Sequence, residues 1–132
     1  AYLKTPPRSP LFSTALPPAT LAASIAGLRI MNKNPRLAEK ALDNAKLFTS
    51  LLALPEATST IVPLIVKEND KALAATRALE EQGYLAAAIR PPTVPQNTAR
   101  LRFTFSAMHE EKDIRAVAAI IKKAGWLCEH SA

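Results

Sequence analysis

Cysteine, glycine and aromatic residues are scarce in this sequence of 132 residues. The single cysteine, Cys128, excludes an internal disulfide and any metal site built from several cysteines. The three glycines form no phosphate-binding loop, and the two histidines, His109 and His130, lie too far apart in sequence for a paired metal motif. Aromatic residues make up only 5% of the chain, so we expect a mainly aliphatic core.

Long apolar runs are also missing. No stretch approaches the ~20 apolar residues that a membrane-spanning helix needs. The first residues lack the basic, apolar and small-residue order of a signal peptide. These features, with a lone thiol suited to a reducing compartment, predict a cytoplasmic protein that does not bind membranes.

The net charge of +6 raises the question of nucleic-acid binding. Residues 1–50 hold seven basic against two acidic side chains, residues 51–100 hold five of each, and residues 101–132 hold five against four. The excess is spread over predicted helices and is not interleaved with aromatic residues that could stack on bases. We therefore expect no nucleic-acid partner.

Proline, in contrast, is abundant. Eight of the eleven prolines cluster in residues 5–18 and 91–95, and the prolines divide the chain into defined pieces. Residues 1–17 are predicted to form an extended, proline-rich lead-in segment, because each proline biases its predecessor away from helix. Residues 18–132 are predicted to form one small domain.

Two helices are predicted in the first half of the domain. Apolar residues recur at helical spacing from Pro18 to about Lys33. Asn34 and Pro35 then provide an N-cap and first turn for a second helix. Its predicted buried stripe is Leu37, Ala41, Ala45, Phe48 and Leu52.

The second half alternates between strands and helices. The β-branched run "STIVPLIV" predicts a strand, and its internal Pro63 indicates either an edge strand or a bulge. Asn69 is predicted to cap a helix that ends at Gly83, and "YLAAAIR" to form a second strand. "ARLRFTFSA" alternates clearly, with Arg100 and Arg102 on one face and Leu101 and Phe103 on the other.

A last helix is predicted from about Glu110 to Ala124, ended by Gly125. The order of elements predicts an α+β fold, in which a small, mainly antiparallel sheet is covered by helices on one face.

The arginine strand is the strongest candidate for a binding site. A guanidinium keeps its charge, so Arg100 and Arg102 need anionic partners. One interpretation is ion pairing with surface carboxylates, which is common and weak. The other is bidentate binding of a substrate carboxylate, favoured by the adjacent stiff proline loop that holds Thr93 in place. No residue pattern indicates a self-sufficient catalytic site or a metal site.

Three motifs in order carry a resemblance to a known family. "FSTALPPA", "IVPLIV" and "AIRPPTVPQNTARLRFTFSAMH" resemble the α-oxoamine synthases. Members of this family are fold-type I enzymes that use pyridoxal phosphate to join an amino acid to an acyl thioester with loss of carbon dioxide. The form "IRPPTVP" is most similar to the biotin-pathway member, which condenses L-alanine with a pimeloyl thioester. Members of the aminoketobutyrate ligase and aminolevulinate synthase types, and a non-catalytic binding domain of the same fold, remain alternatives.

The resemblance implies roles for particular residues. Arg102 matches the residue that holds the amino-acid carboxylate, Thr93 the loop threonine that contacts the acyl substrate, and Arg90 a weaker candidate on the thioester side. Ser13 and Thr14 match a stretch that reaches the cofactor phosphate of the neighbouring subunit in a homodimer.

The resemblance also implies what this chain lacks. The family's Schiff-base lysine lies in a "SK" context upstream of "FSTALPP", and no lysine here has that context. We therefore expect this chain to be the small C-terminal domain of such an enzyme, without its large cofactor-binding domain. As this fragment it is expected to be inactive and to bind no pyridoxal phosphate. Asn97 stands where the family usually has glycine, a position where asparagine tolerates a left-handed backbone.

Overall fold

The computed structural model describes residues 16–127, which form four helices and three strands. The helices are α1 (Pro18–Lys33), α2 (Arg36–Leu51), α3 (Asn69–Glu80) and α4 (Glu111–Ala124). The strands are β1 (Ile61–Lys67), β2 (Ala87–Ile89) and β3 (Ala99–Thr104). This is the predicted order of elements. The chain divides into two compact units, one ending at Pro35 and the other beginning at Arg36.

Helix α1 belongs to the first unit. It begins at Pro18, where the missing N–H of proline costs nothing, as predicted. None of its residues is buried, and its apolar side chains are spread around the helix instead of forming one stripe. The large apolar side chains left exposed on α1 are Leu21, Ile25, Leu28, Ile30 and Met31.

The second unit is built on a three-stranded antiparallel sheet in the order β1-β3-β2. Strand β3 is therefore central, and β1, which contains Pro63, is at an edge, one of the two predicted alternatives. Pairing between β1 and β3 shifts register between Ile65 and Lys67, and Lys67 has a positive φ of 66°.

One face of the sheet is buried and the other is exposed. Along β1 buried and exposed residues alternate strictly, and on β3 Leu101 and Phe103 are buried while Arg102 and Thr104 are exposed. Helices α2, α3 and α4 provide buried residues for the same core. The predicted α+β fold, with helices on one face of a small antiparallel sheet, is confirmed.

The scarce aromatic residues are concentrated in this core. The ring of Phe48 on α2 lies 4.8 Å from that of Phe103 and 5.1 Å from that of Phe105. Such tilted ring pairs contribute beyond their buried area. The rest of the core is aliphatic, with Leu64, Leu79, Leu101 and Ile121 fully buried. The composition did not predict that three phenylalanines would cluster where α2 meets the sheet.

Three local predictions were wrong. Leu37 was predicted to be buried but is 40% exposed, because it lies in the first turn of α2, before the buried part of that helix. Asn69 was predicted as the N-cap of α3, but Glu68 has the extended cap conformation and Asn69 is already helical. The strand predicted over residues 84–90 is only the three residues of β2, because the N–H of Tyr84 donates to Leu79 at the end of the preceding helix.

The predicted helix ends are confirmed at two glycines. Gly125 follows α4 with a φ of 67°, and Gly83 follows α3 with a φ of 84°, so both occupy the left-handed region that favours glycine. Over residues 16–127, no helix combines the length and apolar character needed to cross a membrane.

Candidate substrate-binding face

The exposed face of the sheet carries both predicted arginines in its central strand. Arg102 is paired across the strands with Pro63 on β1 and Ala87 on β2. Arg100 is paired with Ile65 and Ile89 in the same way. Each arginine is thus flanked by apolar residues, so the sheet itself offers neither guanidinium a carboxylate.

The ion-pair interpretation of the arginines finds no support in the described part of the chain. Over residues 16–127, the ion pairs join Lys46 to Glu56, Lys71 to Glu68, Lys112 to Glu110 and Arg115 to Glu111. No carboxylate of that region pairs with Arg90, Arg100 or Arg102. The side chain of Arg102 is exposed and has the donors needed to bind an external anion.

The loop between β2 and β3 is held by few hydrogen bonds. The N–H of Thr93 donates to the carbonyl of Arg90 at 3.0 Å, closing a turn over a cis Pro91–Pro92 peptide bond. The hydroxyl of Thr98 donates to the carbonyl of Pro95 at 2.7 Å. Asn97 has a φ of 60°, so the left-handed conformation expected where the family has glycine is confirmed.

The predicted substrate residues are arranged along this loop and strand. Arg90 directly follows β2, and Thr93 is exposed in the loop. Arg102 lies level with Ala87, three residues before Arg90, which corresponds to about 10 Å along the strand. Arg100 is level with Ile89 and lies between Arg102 and the loop.

A cavity in the second unit lies away from this face. It has a volume of about 530 Å³ and is lined by none of Arg90, Thr93, Arg100 and Arg102. Its lining includes buried core phenylalanines together with His109 and Asp113. We assign the site to the arginine face because it holds the residues that the resemblance implicates, whereas this cavity is lined by none of them.

The lysines of the described residues do not fit a resident pyridoxal phosphate. A Schiff-base lysine needs a sheltered site with partners for the cofactor ring and phosphate. From residue 16 to residue 127 every lysine is exposed or half-buried, and three of them pair with glutamates. The predicted phosphate contacts, Ser13 and Thr14, lie outside the described residues.

Sequence reasoning missed the residue that fixes the turn after β3. Asn44 on α2 is buried, and its side-chain amide donates to the carbonyls of Ser106 and His109. His109 in turn accepts the N–H of Ser106 at Nδ1, 3.3 Å away, and lies edge-on to Phe105. His109 therefore has a packing role at this turn. A polar residue inside the apolar stripe of α2 was the available signal for Asn44.

Comparison with known proteins decides the family. The family model described as aminotransferase class I and II matches residues 2–121. The chain belongs to the class I and II aminotransferase family.

Relatives within the class I and II aminotransferases carry one recurring name. The 8-amino-7-oxononanoate synthase of Methylobacterium sp. (strain 4-46) is 50% identical over 118 residues, which cover 89% of this chain and 31% of that protein. The same-named protein of Granulibacter bethesdensis is 48% identical over 122 residues, 92% of this chain and 32% of its own. The chain spans about a third of the length of these curated relatives.

A solved structure of similar fold is a serine palmitoyltransferase variant from S. paucimobilis with a bound PLP–myriocin aldimine. It superposes with a TM-score of 0.78 at 25% identity and covers 86% of this chain and 30% of that one. The predicted resemblance to the α-oxoamine synthases is thus confirmed.

Proposed function

We propose that this chain is the small C-terminal domain of an 8-amino-7-oxononanoate synthase. The full-length enzyme condenses L-alanine with a pimeloyl thioester, releasing carbon dioxide and the thiol and forming 8-amino-7-oxononanoate for biotin synthesis. The proposal assigns residues 18–132 to the small domain and residues 1–17 to the lead-in segment. The large cofactor-binding domain belongs to the remaining two-thirds of the enzyme.

The observation that carries the proposal is the exposure of the Arg102 guanidinium without an ion-pair partner among residues 16–127. Arg102 lies on the central strand, flanked by Pro63 and Ala87. A planar guanidinium donates two parallel N–H bonds to the two oxygens of a carboxylate. We infer that Arg102 binds the carboxylate of alanine and so fixes the orientation of the amino acid.

The proline loop takes the acyl substrate in this proposal. Thr93 is exposed at the turn closed by its N–H bond to Arg90, and it contacts the acyl chain. Arg90 lies on the thioester side, where its charge suits the phosphates of coenzyme A or of a carrier-protein arm. The roughly 10 Å between the levels of Arg90 and Arg102 along the strand leaves room for both substrates.

Pyridoxal phosphate in the full-length enzyme supplies the electron sink that permits carbon–carbon bond formation and loss of carbon dioxide. We propose that Ser13 and Thr14 contact the cofactor phosphate across a homodimer interface. The cytoplasm is the proposed location, since biosynthetic thioesters and a free thiol both suit a reducing compartment.

The test uses the full-length protein with pyridoxal phosphate, L-alanine and pimeloyl-CoA. We expect one equivalent of carbon dioxide, released from the alanine carboxyl group, for each 8-amino-7-oxononanoate formed. Glycine and serine serve as competing amino acids, and pimeloyl carrier protein as the competing thioester. Preference for glycine with a short acyl-CoA would instead assign the enzyme to another α-oxoamine synthase type.

A further inference from the structure

The side chain of Arg100 is hydrogen-bonded to the loop beside it. Its Nε donates to the carbonyl of Thr98 at 3.0 Å, and the side chain is half-buried. The hydroxyl of Thr98 donates in turn to the carbonyl of Pro95 at 2.7 Å. These two bonds form a continuous connection from the central strand into the proline loop, which we call the Arg100 brace.

The loop has little else to hold its second half. The turn bond from Thr93 to Arg90 closes only its first half. Three prolines supply no N–H, and Asn97 is in the left-handed region, which costs free energy for any residue other than glycine. Within residues 16–127, the brace is what links Pro95 and Thr98 to the sheet by side-chain bonds.

The two arginines of β3 therefore differ in what they can do. Both point to the exposed face, but Arg102 is exposed, whereas Arg100 is half-buried and uses its Nε within the chain. A hydrogen bond from a charged donor to a carbonyl is stronger than a neutral one. The charge of Arg100 thus strengthens a structural bond.

We propose that Arg100 is a positioning residue for the acyl substrate, acting through Thr98 and Pro95 on the loop that carries Thr93. This rests on the proposed function, in which Thr93 contacts the acyl chain. The brace orders the loop before the thioester arrives, so that binding does not have to order it. Its loss should raise the KM for the thioester and leave the KM for alanine unchanged.

Kinetics of the full-length enzyme test the proposal with matched variants. Arg100→Met keeps the apolar stem and removes the donor, and Thr98→Val removes the hydroxyl at nearly constant shape. We expect each to raise the KM for pimeloyl-CoA by roughly 5- to 20-fold with kcat and the KM for alanine within about twofold. Thr98→Ser, which retains the hydroxyl, should behave as wild type. The double variant should be no worse than either single one, because both break the same connection.

Other kinetic outcomes overturn the proposal. A rise in the KM for alanine in Arg100→Met would make Arg100 a carboxylate contact. If Arg100→Met raised the KM for pimeloyl-CoA and Thr98→Val did not, Arg100 would not act through Thr98. Unchanged kinetics in both variants would leave the brace without a role in substrate binding.

Amide hydrogen exchange of the full-length protein gives a readout that needs no activity. We expect faster exchange over residues 93–98 in Arg100→Met and Thr98→Val, but not in Thr98→Ser. Unchanged exchange rates over residues 93–98 in both variants would show that the Arg100 brace does not order the loop. If the wild-type enzyme forms no 8-amino-7-oxononanoate, the proposed function fails, and exchange still decides whether Arg100 orders the loop.

Discussion

The side-chain amide of Asn44 donates one hydrogen bond to the carbonyl of Ser106, 2.9 Å away, across 62 residues of sequence. A second bond from the same amide reaches the carbonyl of His109 at 3.1 Å. Asn44 therefore ties α2 to the turn that joins β3 to α4, where the carbonyl of Ser106 also accepts the backbone N–H of His109 at 3.3 Å.

Replacing Asn44 tests how much this connection stabilises the domain. Asn44→Ala should lower the free energy of unfolding by about 1–3 kcal/mol, because it removes two hydrogen bonds made by a buried side chain. Thermal unfolding of the full-length protein measures the loss. Asn69→Ala is the control, since Asn69 is exposed and α3 has no side-chain cap bond. Equal shifts for the two variants would contradict a special role for Asn44.

Arg102→Lys should impair alanine use more than Thr93→Ala does. Lysine keeps the charge but loses the planar fork, so we expect a loss of roughly 2–4 kcal/mol in transition-state stabilisation, seen in kcat as well as in KM. Thr93→Ala removes one neutral hydrogen bond to the acyl substrate. We expect it to cost about 0.5–1.5 kcal/mol of transition-state stabilisation, seen mainly as a higher KM for the thioester.

The matched control for this pair is Arg100→Lys, which changes a neighbouring arginine on the same strand face. If it impairs alanine use as much as Arg102→Lys, the carboxylate contact has been assigned to the wrong arginine. If neither variant changes the dependence on alanine, Arg102 is an ordinary surface cation.

The isolated chain of 132 residues should form no stoichiometric Schiff base with pyridoxal phosphate. The lysines of residues 16–127 are exposed or half-buried and lack the ring and phosphate partners of a cofactor site. Titration should show no saturable visible absorbance band beyond nonspecific lysine modification. A borohydride-reducible adduct at one particular lysine would contradict this expectation.

The isolated chain should also self-associate through α1. Leu21, Ile25 and Leu28 are 45%, 48% and 59% exposed, and α1 buries none of its residues. Exposed apolar surface of this extent favours association. Light scattering should show a mass that rises with concentration, and Ile25→Lys should reduce it. Lys33→Glu, at the polar end of the same helix, is the control that should leave association unchanged.

The ion pair between Lys46 and Glu56, with Nζ and Oε1 2.8 Å apart, should give a small pH dependence of stability. The hydrogen bond and charge of Lys46 lower the pKa of Glu56 from its ordinary 4.5. Glu56 in turn raises the pKa of Lys46 above 10.5.

The sign of the effect follows from these directions. The contribution of Glu56 is complete above pH 4.5 and is lost as the pH falls through its lower folded pKa. That of Lys46 is complete below pH 10.5 and is lost as the pH rises through its higher folded pKa. Glu56→Gln should thus have a lower melting temperature at neutral pH and match wild type in strong acid. Because both side chains are well exposed, the difference should be small and disappear in high salt.

The strength of local patterns explains which features the sequence predicted. The alternation around Arg102 was reliable because successive side chains of a strand take opposite faces, whatever the strand pairs with. The predicted burial of Leu37 was wrong because periodicity identifies which face of a helix is buried, but not how much of the helix length is covered by the elements packed against it. The Arg100 brace could not be predicted, since its bond to Thr98 depends on a side-chain rotamer and a turn geometry that no residue pattern specifies.

The central position of β3 also determines which length changes the domain can accept. An insertion of one residue inside β3 would exchange its two faces beyond that point, since pairing on both sides holds the strand in place. It would turn a guanidinium toward the phenylalanines and expose Phe103 to water. An insertion in the loop between β2 and β3 would leave both pairings in register, but it would displace Thr93 or break the Arg100 brace. We therefore expect the strand to keep a constant length among homologues in order to preserve the fold, and the loop to keep its length in order to preserve the acyl site.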